Sequence, residues 1–271
     1  MQTMFSRTEA MLLVAFLAMV GAALAAPALP TSPYEHQFAD QRMLFGVMDA
    51  FDVFSNLPFA LAGLVGAGFL WRAPRRTVSN MQRAMLLMFL AGLVLVAIGS
   101  SAYHLDPGPR GLAADRYCMA VAFAGLLGLA AAGHVSERAG ALLGLASLAA
   151  GLSAVKYWTL TADALPWAVF QVGGMLVLWW IAAQYPRLRA LPVNWALVLL
   201  AYGSAKLLEI NDYVVFEFTG HLVSGHTLTH LVASMAAWPV IGALAAAGRS
   251  VQNAPVADSA DEAAIRWWSN A

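Results

Sequence analysis

In the stretch SGHTLTH, His226 and His230 stand four residues apart within an otherwise apolar segment. Positions i and i+4 of a helix lie one above the other, so both imidazoles project from one face and can offer nitrogens to a single ion. A second group repeats the spacing. Ser100 and His104 are four apart, and Asp115 follows the turn-forming run Asp106-Pro107-Gly108-Pro109. If the last helix begins near Val223, three histidines, one carboxylate and one hydroxyl converge at the same membrane depth. His104, His226 and His230 would then supply three nitrogens and leave one tetrahedral position open, the pattern of a catalytic zinc site. Zinc lowers the pKa of its water to about 7. Asp115 is the candidate to take that proton and pass it to a leaving group. Ser100 is the candidate to hydrogen-bond the oxyanion that grows on an attacked carbonyl. The competing reading makes each histidine a donor to a neighbouring helix carbonyl, a packing role that polar side chains also serve in membranes.

The elements that must position these residues follow from composition. Of the 271 residues, 61% are hydrophobic and 11% charged, and the mean hydropathy is +0.68, more apolar surface than a soluble domain can bury. Runs near the roughly 20 residues that cross about 30 Å of hydrocarbon occur at 49–71, 83–104, 112–132, 139–158, 165–184, 193–210 and 223–247. They are rich in Ala, Leu and Gly and lack the alternation of an outer-membrane barrel. Small residues from Ala60 to Gly68 suit close helix contacts in lipid. The expectation is an all-α integral membrane bundle of seven transmembrane helices over residues 30–248. An additional apolar run, Ala10 to Ala26, is short for a span and ends in Ala23-Leu24-Ala25, which resembles a signal-peptidase site. Residues 1–29 therefore read as a signal peptide or an extra N-terminal helix. The tail, 249–271, carries Asp258, Asp261 and Glu262 beside Trp267 and Trp268, and reads as disordered or as a short interfacial helix.

Charge orients the bundle. Arg7, Arg72, Arg75, Arg76, Arg83, Arg138, Arg187, Arg189 and Arg249 fall on one face. The other holds Arg42, Arg110, Lys156 and Lys206 among Glu35, Asp40, Asp49, Asp106, Asp163, Asp212 and Glu217. The positive-inside rule makes the arginine face and the C-terminus cytoplasmic. In a bacterial inner membrane the candidate site then lies toward the periplasm. Cys118 is the only cysteine, which excludes an intrachain disulfide. Neither a phosphate-cradling loop nor a basic patch for nucleic acid is present, the 15 basic residues being balanced by 15 acidic ones. A proton or ion transporter is a weaker reading, because the chain shows no convincing internal repeat. Nothing in the sequence sets the oligomeric state.

Taken together, Ser100-x-x-x-His104, Asp115 and His226-x-x-x-His230 resemble the alkaline ceramidase family, within the superfamily that includes the progestin and adipoQ receptors. FADQRMLFGVMDAFDVFSNLPFALAG (Phe38 to Gly63) is similar to the start of the first core helix in bacterial ceramidase-domain proteins. AKLLEINDYVVF (Ala205 to Phe216) is similar to the segment ahead of their last histidine pair. The resemblance spans residues 34 to 247. It implies a seven-helix hydrolase with zinc on His104, His226 and His230, Asp115 as acid/base and Ser100 at the oxyanion. The implied substrate is a membrane lipid, ceramide or another N-acyl lipid amide, cut to a fatty acid and a free amine. Thr229 stands where eukaryotic members often carry an aromatic residue. Those members also bind calcium through an acidic segment, for which Glu35, Asp40, Asp49, Asp52 and Asn56 correspond here, without the spacing of an EF-hand. The alternative for them is a solvated loop, with Asp52 and Asn56 making helix-packing hydrogen bonds. The alternative function is a receptor-like membrane protein that keeps zinc for stability or ligand sensing. Ser100 and Asp115 favour the enzyme, because a structural zinc needs no acid/base group beside an open position.

The remaining polar residues have simpler readings. Lys206, Glu209 and Asp212 can pair at i,i+3 along one helix, or Glu209 or Asp212 can orient a zinc-bound imidazole. His36, His134 and His221 read as surface histidines. Tyr103, Tyr157 and Trp158 read as groove-lining or interfacial aromatics.

Overall fold

The computed structural model describes residues 5–187 and 190–252. Its helices, in chain order, are α1 (Arg7–Ala25), α2 (Ala50–Phe54), α3 (Leu57–Arg72), α4 (Asn80–Leu105), α5 (Pro109–His134) and α6 (Glu137–Thr161). They continue with α7 (Leu165–Ala182), α8 (Trp195–Ile210), α9 (Asp212–Phe218), α10 (Gly225–Met235) and α11 (Trp238–Gln252). Among the described residues the only β-pairing is two isolated bridges, Pro30 with Asp163 and Leu44 with Val47. Arg189 and the tail residues Asp258, Asp261, Glu262, Trp267 and Trp268 lie outside the described residues.

Local chemistry sets where these helices begin. Ser6, Ser79, Ser136 and Ser224 accept the first free backbone N–H groups of α1, α4, α6 and α10, and Asn194 does so for α8. Pro58, Pro109 and Pro166 occupy first-turn positions, where a missing N–H costs nothing. Pro58 and Pro239 also explain two interruptions. Neither can donate to the carbonyl four residues back, so the chain breaks between α2 and α3 and between α10 and α11.

The protein is an all-α membrane bundle. With α2–α3 and α10–α11 each counted as one span, seven described helices are long and apolar enough to cross a membrane. They differ in one respect from the seven expected. The N-terminal run is among them, as α1, whereas the run at 193–210 forms the 16-residue α8, which packs against α10. The N-terminal helix is the least buried span and α5 the most. Glycine permits the central crossing of α4 and α5. A Cβ on Gly92 would lie 2.5 Å from the backbone N of Ala122, and one on Gly125 would lie 2.3 Å from that of Phe89. Large apolar side chains such as Trp71, Trp179, Ile210 and Phe218 point outward, as a hydrocarbon solvent requires.

The two ends of the bundle differ. At one end arginines cap helix C-termini: Arg83 donates to the carbonyls of Leu70 and Ala73, and Arg187 to that of Ala132. There too Glu9 of α1 accepts from Ser136 Oγ at 2.6 Å and from Arg138 at 2.6 Å. His104 ends α4 at the other end, where α5 and α10 begin.

Candidate metal centre and its cavity

That second end brings the three histidines together. One ligand nitrogen from each of His104, His226 and His230 lies within 4.8 Å of the others, and His104 and His230 are buried while His226 is partly so. His104 Nε2 and His226 Nε2 are 3.2 Å apart. Two imidazole lone pairs on one tetrahedral zinc, each about 2.0–2.1 Å from it, would sit about 3.3 Å apart. That pair is therefore spaced as two ligands of one metal ion would be, and the third nitrogen lies within reach of the same ion.

Hydrogen bonds decide which nitrogen His230 presents. Ser55 Oγ lies 3.0 Å from the Asp52 carbonyl and 2.7 Å from His230 Nδ1. A hydroxyl has one proton, and the carbonyl can only accept. Ser55 therefore donates to Asp52 and accepts from His230 Nδ1–H, which leaves Nε2 bare as a ligand. Metal-binding histidines are commonly oriented this way. Ser55 caps the C-terminal end of α2, its N–H still bonded to the Phe51 carbonyl at 2.9 Å, while its hydroxyl reaches α10.

His226 is fixed through its backbone. Its N–H donates to Asp212 Oδ1 at 2.7 Å, and the other oxygen, Oδ2, accepts from the N–H of Ala39 at 2.9 Å. One carboxylate thus holds both the first turn of α10 and the loop above it. Gly225 makes this possible, because a Cβ there would stand 2.4 Å from the Leu208 carbonyl oxygen and 2.7 Å from Asp212 Cα. The Phe38 ring covers the site from that loop, its centroid 4.5 Å from His104 and 4.8 Å from His226. Asp52 accepts from Thr227 Oγ1 at 2.5 Å, tying α2 to α10 once more.

A cavity of about 360 Å³ opens from the histidines. Along α4 it is lined by His104, Ser100, Val96, Leu93 and Phe89, spaced three or four residues apart on one face. That row covers about 22 Å at 1.5 Å per residue, longer than the roughly 15 Å of one leaflet's hydrocarbon. Its far part is apolar, with Phe59, Leu126 and Ala237. Ser100 and Asp115 both line the near part. A Cβ on Gly99 would be 3.4 Å from Asp115 Cα, so the two helices touch at that level. Asp115 Oδ1 is buried without a hydrogen-bond partner, as is His104 Nδ1.

The chain matches no protein-family model and no curated protein.

Other expectations resolve individually. Lys206 and Glu209 form the i,i+3 pair, at 2.5 Å, on the cavity wall. Asp212 is not part of it, and it orients His226 through the main chain rather than the ring. Most of the acidic set weighed for calcium is engaged in other bonds. Glu35 pairs with Arg116, Asp40 with Arg42, and Asp52 with Thr227, while Asn56 Nδ2 donates to the Asp52 carbonyl. The last two make the helix-packing bonds considered as the alternative. Burial, with Asp40 near, pushes the Asp49 carboxyl above its ordinary range. His221 is exposed, as read from the sequence, but His36 and His134 are partly buried. His36 Nδ1 is 2.9 Å from Tyr103 Oη, and His134 Nε2 accepts from Trp195 Nε1–H at 3.0 Å. Tyr103 lines the cavity, Trp158 stacks on Arg116, and Tyr157 is half exposed. Sequence reasoning missed Ser55, Phe38 and Arg116. Ser55 and Asn56 had a signal, as a polar pair inside an apolar run. Phe38 had none.

Proposed function

We propose that the protein is a zinc-dependent lipid amide hydrolase of the ceramidase type, releasing a fatty acid and a free amine. The observation that carries the reading is the convergence of His104, His226 and His230 at the head of a cavity that is longer than one leaflet's hydrocarbon and apolar in its far part. An acyl chain fits the apolar part, and its amide then stands beside Ser100 and Asp115. Zinc on the three histidines would supply an activated water and polarise the carbonyl. Ser100 Oγ–H donates to the carbonyl oxygen as negative charge develops there. Asp115 Oδ1, which has no partner to give up, takes a proton from the attacking water and delivers it to the leaving nitrogen. The C–O bond forms first, as the carbonyl π pair moves onto the oxygen that Ser100 holds; return of that pair expels the protonated nitrogen, breaking the C–N bond and giving a carboxylate and an amine. Phe38 and the apolar wall keep bulk water from the reacting carbon. The site end of the bundle faces the periplasm of a bacterial inner membrane, with the arginine end cytoplasmic.

The test is zinc content and fatty-acid release from ceramide and simpler N-acyl amides by detergent-purified protein. About one zinc per chain is expected, falling to near zero in His226→Ala/His230→Ala. Asp115→Asn is expected to keep its zinc and lose release by about 10²-fold or more. Wild-type protein that stays folded yet binds no zinc after supplementation would sink the reading.

A further inference from the structure

Arg116 follows the proposed acid/base residue directly, lines the same cavity, and takes no part in the steps above. Its side chain is only 10% exposed. The guanidinium carbon sits 4.3 Å from the centre of the Trp158 ring and 5.9 Å from that of Trp167, which fixes its plane. Nη2 pairs with Glu35, a cavity-lining residue of the loop above the site. Nη1 is buried and has no partner.

A buried guanidinium with an unfilled N–H pair is costly unless something accepts from it. We infer that Arg116 selects N-acyl lipids whose amine half carries a carboxylate, as in an N-acyl amino acid, and binds that carboxylate through Nη1. The inference rests on the amide-hydrolase reading for where the amide lies. Charge-assisted bonds from arginine to carboxylate are roughly twice as strong as bonds between neutral groups, so a carboxylate satisfies Nη1 better than a hydroxyl. Asp115 and Arg116 line the same cavity, as the amide and the neighbouring carboxylate of one such ligand require. Glu35 shows that this guanidinium already accommodates one carboxylate beside the cavity.

The experiment measures binding of N-palmitoylglycine and N-palmitoylethanolamine to the full-length protein in detergent, alongside their hydrolysis. The two probes share acyl chain and amide and differ in the carboxylate. Wild type is expected to bind the glycine conjugate at least tenfold more tightly. Arg116→Gln is expected to erase that preference, and Glu35→Gln, which frees more of the guanidinium, to enlarge it. Opposite signs from two variants separate recognition from general damage, which would weaken both probes in both proteins. Equal binding by wild type, binding of neither probe, or a preference that survives Arg116→Gln overturns the inference. Preferential binding without cleavage would leave it standing and count against the hydrolase. Equal binding with cleavage of both would do the reverse.

Discussion

Replacing Ser55 by alanine removes a single oxygen that touches no substrate, yet it should weaken the metal site. In the folded protein Ser55 Oγ accepts from His230 Nδ1–H at 2.7 Å in a fully buried setting. Without it that N–H loses its hydrogen-bond partner and is left only the neighbouring Asp52 carbonyl, and a poorly paired buried donor costs up to about 1–3 kcal/mol. The ring is then free to turn, or to move its proton to Nε2, and either change removes the ligand. The Asp52 carbonyl suffers less, since it keeps Asn56 Nδ2 at 2.9 Å. The loss should therefore fall on zinc affinity, by about 10- to 100-fold, the range seen when such orienting partners are removed. Competition against a chelator in detergent measures it directly. Ser55→Thr, which keeps the hydroxyl, should stay near wild type. If Ser55→Ala folds and binds zinc as tightly as wild type, the tautomer assignment for His230 is wrong.

Three other outcomes follow from the same geometry. Gly225→Ala forces a methyl against backbone at 2.4 and 2.7 Å, so it should lower stability by about 1–3 kcal/mol; Gly203→Ala, with nothing within 4 Å, should be neutral or stabilising by up to about 1 kcal/mol, and thermal melting compares them. Asp49 has its folded pKa raised by burial, so its charge opposes folding as pH climbs above the ordinary value near 3.9. Asp49→Asn should accordingly raise the melting temperature at pH 7 and leave it unchanged near pH 4, and its φ of 48° suits asparagine. Gly99→Ala would bring a methyl to 2.8 Å of Cys118 Sγ and part α4 from α5, so Asp115-dependent release should fall while zinc content holds.

The spans were legible because twenty apolar residues have few other uses. The histidine pair was legible because ionisable groups within a span demand a reason. The run at 193–210 gives α8, which ends at Ile210 as the pattern suggests, though at 16 residues it is shorter than the other spans. What could not be read were contacts made by chain breaks and loops. Phe38 lies 66 residues before His104 and carries no pattern. Ser55 reaches His230 across 175 residues of sequence because α10 passes beside the end of α2. Asp212 matched one reading by type and position, yet it serves the main chain rather than the imidazole. Hydrophobic periodicity reports which face is apolar and says nothing of such lateral partners.

The supports of the three histidines are what make the site more than a coincidence of packing. His104 comes from α4, and His226 and His230 come from α10. His226 is held by Asp212 at the junction of α8 and α9, and His230 by Ser55 at the junction of α2 and α3. Histidines placed only for packing would each find a carbonyl close by, as His134 does with that of Gln184. Here two Nε2 atoms face each other at 3.2 Å, where only one of them can carry a proton between them. Neutral imidazoles gain at most one weak hydrogen bond from that arrangement and leave the third nitrogen without a use. One cation bound between them would satisfy all three lone pairs and join α4 to α10, while the junctions at Ser55 and Asp212 bring in two more helix pairs. Metal binding and closure of this end of the bundle would then be a single equilibrium.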